Sequence, residues 1–150
     1  MSWLLDTCIL SEYVKKQPEA KVIDWLDVQD EQSLFISIIS IGEIEKGIIK
    51  LQRRDLDRSQ KLMVWLGKVE QHFAGRILPI DMQIMRAWAN LSGTAEADGY
   101  KLPVMDALLM AVAQCHGLTI VTRNIQDFRR FSHLYNPWET SAGGRKYPDH

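Results

Sequence analysis

Cysteine is scarce in this sequence, net charge is close to zero, and no apolar run is long. The 150 residues hold two cysteines, Cys8 and Cys115, and four histidines. No CxxC pair or His/Cys cluster is present, which argues against a structural zinc site. Both cysteines stand among apolar residues and are expected to be small buried thiols, reduced as in a cytoplasmic protein. His72, His116, His133 and His150 share no motif, so no histidine pair is placed for acid–base catalysis. No stretch approaches the length of a membrane span, and the start lacks the basic segment and apolar core of a secretory signal. A cytoplasmic location with no membrane contact is expected. A net charge of -1 gives no global basic field of the kind that coats nucleic acid, although a local patch can still dock phosphates.

What is present fits one globular domain. Apolar residues make up 46% and charged residues 25%, ordinary values for a chain with a real core. Short apolar runs alternate with helical patterns, without internal repeats. Strands are expected at 2–5, 34–37, 76–80 and 118–122, with a short edge strand at 134–135. Helices are expected at 9–14, 19–28, 41–51, 56–73, from the Asp81 cap to about 91 with Gly93 as the stop, and at 104–116 ended by Gly117. A short helical turn is expected at 125–131. This order predicts an α/β domain over 1–139, three-layered, with a mainly parallel sheet of four to five strands. Residues 140–150 are polar and Gly-rich and read as a mobile tail.

In such sheets, sites form beyond the carboxyl ends of the strands, and acids stand there in this chain. Asp6 follows the first strand, where it serves equally as a helix N-cap or as a carboxylate that handles metal or phosphate. Glu43 closes a Ser40-x-x-Glu43 capping box, a sufficient role taken alone. Asp106 is the only charged side chain between Leu102 and Gln114. It lies in the first turn of an apolar helix, and a buried carboxylate needs a partner, a hydrogen bond or a metal. Asn124 and Asp127 follow the last long strand, again in capping-box spacing. Four strand–helix junctions thus bring an oxygen donor toward one edge. Bare carboxylates gathered together repel one another. A divalent cation removes that cost, and oxygen-only donors suit Mg²⁺, with Mn²⁺ as a substitute.

The sequence here resembles the PIN-domain ribonucleases, specifically the VapC/FitB-type toxins of bacterial toxin–antitoxin pairs. LLDTCILSE (4–12) is similar to the family's Asp-Thr opening, and ISIISIGEIEKGI (36–48) to its Glu-hydrophobic-x-x-Gly segment. GRILPID (75–81) resembles its strand before the long helix. PVMDALLMAVAQCHGLTIVTRNIQDF (103–128) resembles its Asp block and following strand, and NPWE (136–139) resembles the end of FitB-like members. The likeness spans about 3–139.

The resemblance implies a metal-dependent endoribonuclease toxin, with transfer RNA as the leading substrate, neutralised by a VapB-like antitoxin and commonly homodimeric. Asp6, Glu43 and Asp106 fall on the family's three acidic positions. Asn124 takes the fourth, often Asp, and Asp127 matches a further acid of many members. Thr7 and Thr122 would orient carboxylates or waters. Cys8 stands where Asn or Ser is more usual and is expected to tune nothing essential. The implied reaction is in-line hydrolysis of an RNA phosphodiester, with the cation activating water and offsetting charge on the leaving oxygen.

For RNA contacts, Lys46 and Lys50 share a helix face, and Arg123 beside Asn124 is the best-placed cation. Arg53, Arg54, Arg129 and Arg130 are weaker candidates. Trp25, Trp65 and Trp88 read as core or interface residues. Leu62, Val64, Trp65 and Leu66 suggest a second buried face on the 56–73 helix, in a region that in the family helps bind the antitoxin. The competing reading is a non-catalytic PIN module that binds RNA or protein, with its acids acting as caps. A HAD-type phosphatase is disfavoured because Cys8 stands where its second Asp belongs. A receiver domain is disfavoured because its early acidic pair and late Lys have no counterparts.

Overall fold

The computed structural model describes residues 1–128 and 130–139. Arg129 and the expected tail at 140–150 lie outside them. In chain order the main elements are β1 (Trp3–Leu5), α1 (Thr7–Glu12), α2 (Ala20–Asp27), β2 (Leu34–Ser37), α3 (Ile38–Leu51) and α4 (Leu56–His72). Then follow β3 (Ile77–Leu78), α5 (Met82–Ala97), α6 (Val104–His116), β4 (Thr119–Val121) and β5 (Leu134–Tyr135). The five strands form one sheet in the order β3-β2-β1-β4-β5, and every pair is parallel.

Period-two alternation sorts the strand side chains into two cores. Leu4, Phe35 and Ile120 face one layer, where they pack with α5 and α6. Trp3, Leu5, Leu34, Ile36 and Val121 face the other, with α1, α2 and α4. The expected three-layer α/β/α domain is therefore present.

Two helix limits differ from expectation. α3 starts at Ile38, because the hydroxyl of Ser37 accepts a hydrogen bond from Ile39 N at 3.1 Å. The strand's last residue is thus the cap, and no loop separates β2 from α3. Ser40 is buried inside the helix and Glu43 stands in its second turn, so the Ser40–Glu43 capping box does not exist. α5 runs through Gly93 to Ala97. Its stop is Gly99, at φ 83°, where Tyr100 N donates to Ala95 O at 2.8 Å and Gly99 N to Glu96 O at 2.9 Å. That pair of bonds is the Schellman ending. Gly117 ends α6 in the same way, at φ 65°.

Arg76, read only as part of a strand, is 7% exposed. Its Nη1 donates to Glu31 O at 2.6 Å and Leu34 O at 2.7 Å, and its Nη2 to His72 O at 2.8 Å. One guanidinium thus ties the entry to β2 to the end of α4. Glu12, also in the sequence motif, is 1% exposed. Its carboxylate accepts from Glu19 N at 2.8 Å and pairs with Lys15 at 2.9 Å. Burial pushes its proton affinity up, but Lys15, the Glu19 N–H and the charge of Arg123 together hold it below the usual carboxylate range.

Candidate active site

From β1 the chain builds outward through β2 to β3, then crosses back to place β4 and β5 on the other side. The switch point of such a sheet opens a crevice beyond the strands' carboxyl ends, here between β1 and β4. Asp6 N donates to Val121 O at 3.0 Å, so the last rung between these strands sets Asp6 beside Thr122.

The Asp6 side chain is 8% exposed. Its Oδ1 accepts from Thr7 N at 2.8 Å, and its Oδ2 accepts from Thr122 Oγ1 at 2.8 Å. Asp6 is therefore both the α1 cap and a carboxylate held in one orientation. Thr122 is fully buried, and its oxygen in turn accepts from Asn124 N at 3.0 Å. Since a hydroxyl has a single proton, Thr122 uses it to donate to Asp6. Cys8 Sγ sits 3.7 Å from the same oxygen and accepts from Arg123 N at 3.4 Å. With the threonine proton committed to Asp6, the Cys8 S–H is the donor to Thr122. Cys8 is half-buried, and its thiol proton affinity is pushed up chiefly by burial. Far from being an inert filler, it supports the group that orients Asp6. Sequence reasoning missed this because the contact spans 114 residues.

The other acids come from three further elements. Glu43 projects from the second turn of α3 and is exposed. Asp106 lies in the first turn of α6, half-buried rather than enclosed, beside exposed Val104 and Met105. Asp127 stands in the short 3-10 turn after β4, and exposed Asn124 precedes that turn. All are electrostatically linked. Burial raises the Asp6 pKa against the opposing hydrogen bonds from Thr122 and Thr7, and the charge of Asp127 adds to the rise. Burial raises Glu43, with further contributions from Asp6 and Asp106, while Lys46 opposes the shift. Asp106 is pushed up to about 6 by burial, then by Asp127 and Asp6. The charge of Asp6 thus reaches Glu43 and Asp106, and that of Asp127 reaches Asp6 and Asp106.

Among the described residues, no three Asp, Glu, His or Cys side chains are gathered into a ready-made metal cage. The donor set nonetheless fits a hard cation. It is all oxygen, burial and then neighbouring negative charge raise the proton affinities of Asp6, Glu43 and Asp106, and Mg²⁺ keeps several waters while using one or two carboxylates.

Clefts flank Glu43 on both sides. One of about 500 Å³ is lined by Thr7, Ser11, Glu43, Ile44, Arg58 and Trp65. The other, about 510 Å³, is lined by Ile38, Gly42, Glu43, Lys46, Met105 and Leu108. Lys46 therefore stands on a cleft wall at the site. Lys50 is exposed one turn farther along α3. Arg130 is committed elsewhere, donating to Asp98 at 3.3 Å and lying over Tyr100. Trp25 is core, and Trp65 and Trp88 are half-buried. Leu66 is buried, but Val64 is 60% exposed, so the expected second face of α4 is only partly covered within this chain. Among the described residues, no helix is long and apolar enough to cross a membrane.

Comparison with known proteins places this geometry. Residues 3–134 match the PIN domain family model. Plasmid stability protein StbB of Pseudomonas syringae pv. tomato is 33% identical over 144 residues, 91% of this chain and 98% of that protein. VapC ribonuclease Y4jK of Sinorhizobium fredii is 31% identical over 140 residues, 91% of this chain and 97% of that protein. Among solved structures, FitAcB from Neisseria gonorrhoeae superposes with a TM-score of 0.80 at 28% identity, covering 91% of this chain and 99% of that one. This chain belongs to the PIN-domain family.

Proposed function

We propose that this protein is a metal-dependent endoribonuclease toxin, with transfer RNA its leading substrate, held in check by an antitoxin protein. The observation that carries the reading is the electrostatically linked set Asp6, Glu43, Asp106 and Asp127 at the β1/β4 switch point, with Asp6 fixed by a buried hydroxyl. Caps alone would not explain it, since Glu43 caps nothing at the start of α3. Relatives named VapC ribonuclease and toxin FitB support the activity. Solved neighbours described as toxin–antitoxin complexes, such as that of Klebsiella pneumoniae, support the partner.

Asp6, Glu43 and Asp106 would hold Mg²⁺ or Mn²⁺ directly or through water, with Asn124 and Asp127 completing the edge. A bound cation supplies charge to offset the phosphodiester and lowers the proton affinity of water. The chain's own part is orientation. Thr122 and the Thr7 N–H fix both Asp6 oxygens, and Lys46 presents a cation for the RNA backbone beside Glu43. The exposed part of α4 around Val64 and the cleft at Trp65 form the antitoxin-facing side, and the protein acts in the cytoplasm as a homodimer.

The test is cleavage of total cellular RNA by the purified, antitoxin-free protein with Mg²⁺ or Mn²⁺, with EDTA, and with Asp6→Asn. A discrete fragment that needs both metal and Asp6 is expected. A folded wild type that neither binds metal nor cuts RNA would leave the non-catalytic module. In the same assay Thr122→Val should lower the rate about 10–100-fold, the usual cost of losing a group that orients a ligand. Thr122→Ser should retain most of it. If valine is as active as serine, the hydroxyl does not serve Asp6.

A further inference from the structure

One residue beyond Thr122, the chain holds a cation over an aromatic ring. The Arg123 guanidinium lies over Trp138 at 5.5 Å from the ring centroid, within the range of a cation–π contact. Arg123 directly follows Thr122, whose hydroxyl orients Asp6. Its position is set by more than surface chance. Asn136, 8% exposed, donates from Nδ2 to Arg123 O at 3.4 Å, and its Oδ1 accepts from Trp138 N at 2.9 Å. One buried amide thus fixes the backbones of both members of the pair. The Trp138 ring packs partly against the core shared by β1, α1 and α2, which anchors the lower layer. Arg123 itself is exposed; its charge reaches Glu12, but among the described residues it forms no salt bridge.

We propose that Arg123 stacked on Trp138 is a subsite for a base of single-stranded RNA next to the reacting phosphodiester; this rests on the nuclease reading above. An exposed guanidinium resting over an aromatic ring can offer a face to a base and its N–H groups to a phosphate. Stacking on such a surface tolerates any base, because each has a π-face. The subsite therefore supplies affinity and placement rather than sequence identity. A plain latch for the Pro137–Glu139 turn would use the same contacts but would not distinguish RNA with bases from RNA without them.

The experiment uses the full chain carrying Asp106→Asn, so that bound RNA is not cut, with Mg²⁺ present. Binding of a labelled ten-nucleotide oligoadenylate is compared with that of an abasic ribose-phosphate oligomer of equal length. The parent should prefer oligoadenylate by about tenfold, the scale of one stacked base. Arg123→Lys keeps the charge but not the plane. It should bring the preference close to one while abasic binding changes less than about twofold. Trp138→Leu should do the same, provided its melting temperature shows it folded. An unchanged preference in Arg123→Lys, no preference in the parent, or no binding of either oligomer would overturn the subsite. The nuclease reading is scored separately, by Asp106-dependent cleavage. Cleavage without base preference removes only the subsite. Base preference without cleavage keeps the subsite and leaves an RNA-binding module.

Discussion

Asp106→Asn is expected to cut metal-dependent RNA cleavage by at least about a hundredfold while raising the melting temperature of the metal-free protein at pH 7.5. The loss follows from removing a cation-holding charge, because a catalytic metal contributes several kcal/mol of charge stabilisation and about 1.36 kcal/mol is tenfold in rate. The gain in stability follows from the same charge. The Asp106 pKa is raised from 3.8 to about 6, by burial first and then by Asp127 and Asp6. Between those values the folded state binds more protons than the unfolded chain, so the stability of the wild type falls as pH rises through this window. The penalty is fully present above about pH 6 and absent below about pH 4. Asparagine carries no such penalty, so its advantage should be largest near neutral pH and shrink as pH falls. Added Mn²⁺ should reverse the order, since a ligand that binds only the folded state stabilises it and the variant binds metal less. Thermal melts of both proteins at pH 4.5 and 7.5, with and without Mn²⁺, measure all of this. An equal Mn²⁺ response in the two proteins would remove Asp106 from the metal site.

Arg76→Met should be the most damaging single change to the fold. Three backbone carbonyls, those of Glu31, Leu34 and His72, are satisfied by one buried guanidinium. Hydrogen bonds to a charged group contribute about 1.5–3 kcal/mol each, and carbonyls left buried without a donor cost more than the bonds alone. A loss of about 3–5 kcal/mol is expected, or a fall in melting temperature on the order of 10 °C for a chain of this size. The Phe73 ring beneath the guanidinium, 4.8 Å away, adds to it. Arg76→Lys should recover only part, because one compact ammonium does not reproduce a planar fork that serves three acceptors. A methionine variant within about 1 kcal/mol of wild type in urea unfolding would show that water replaces the guanidinium at these carbonyls.

Local signals in the sequence carried the parts of the fold that are decided locally. The limits of α6 were legible because an apolar stretch stands between Pro103 and Gly117, and Gly117 supplies the left-handed residue the ending needs. The approximate place of Asp6 was legible because it interrupts an apolar run at the end of β1. The ends of α3 and α5 were not. Ser37 and Ser40 are both competent caps, and the choice depended on where β2 stops pairing with its neighbours. Gly93 and Gly99 are both competent stops, and only the packing of α5 on α6 extends the helix past the first. Within the site, Asp6 and Asp106 stood out as charges in apolar sequence, whereas Glu43 and Asp127 read first as capping-box acids. Cys8 and Asn136 did not stand out, since each acts through partners that no spacing rule links. Asn136 reaches a residue 13 positions away and Cys8 one 114 positions away.

The bond from Thr122 to Asp6 spans 116 residues, which bears on how the protein is made. During synthesis Asp6 emerges while Asp106, Thr122 and Asp127, far later in the chain, are still to be translated. β1 lies at the centre of the sheet and pairs with β4 only after β4 has left the ribosome. A truncated or stalled product ending before β4 therefore carries a first strand, an unoriented carboxylate and no crevice. The candidate site is therefore assembled only after β4 and the turn that follows it have been made.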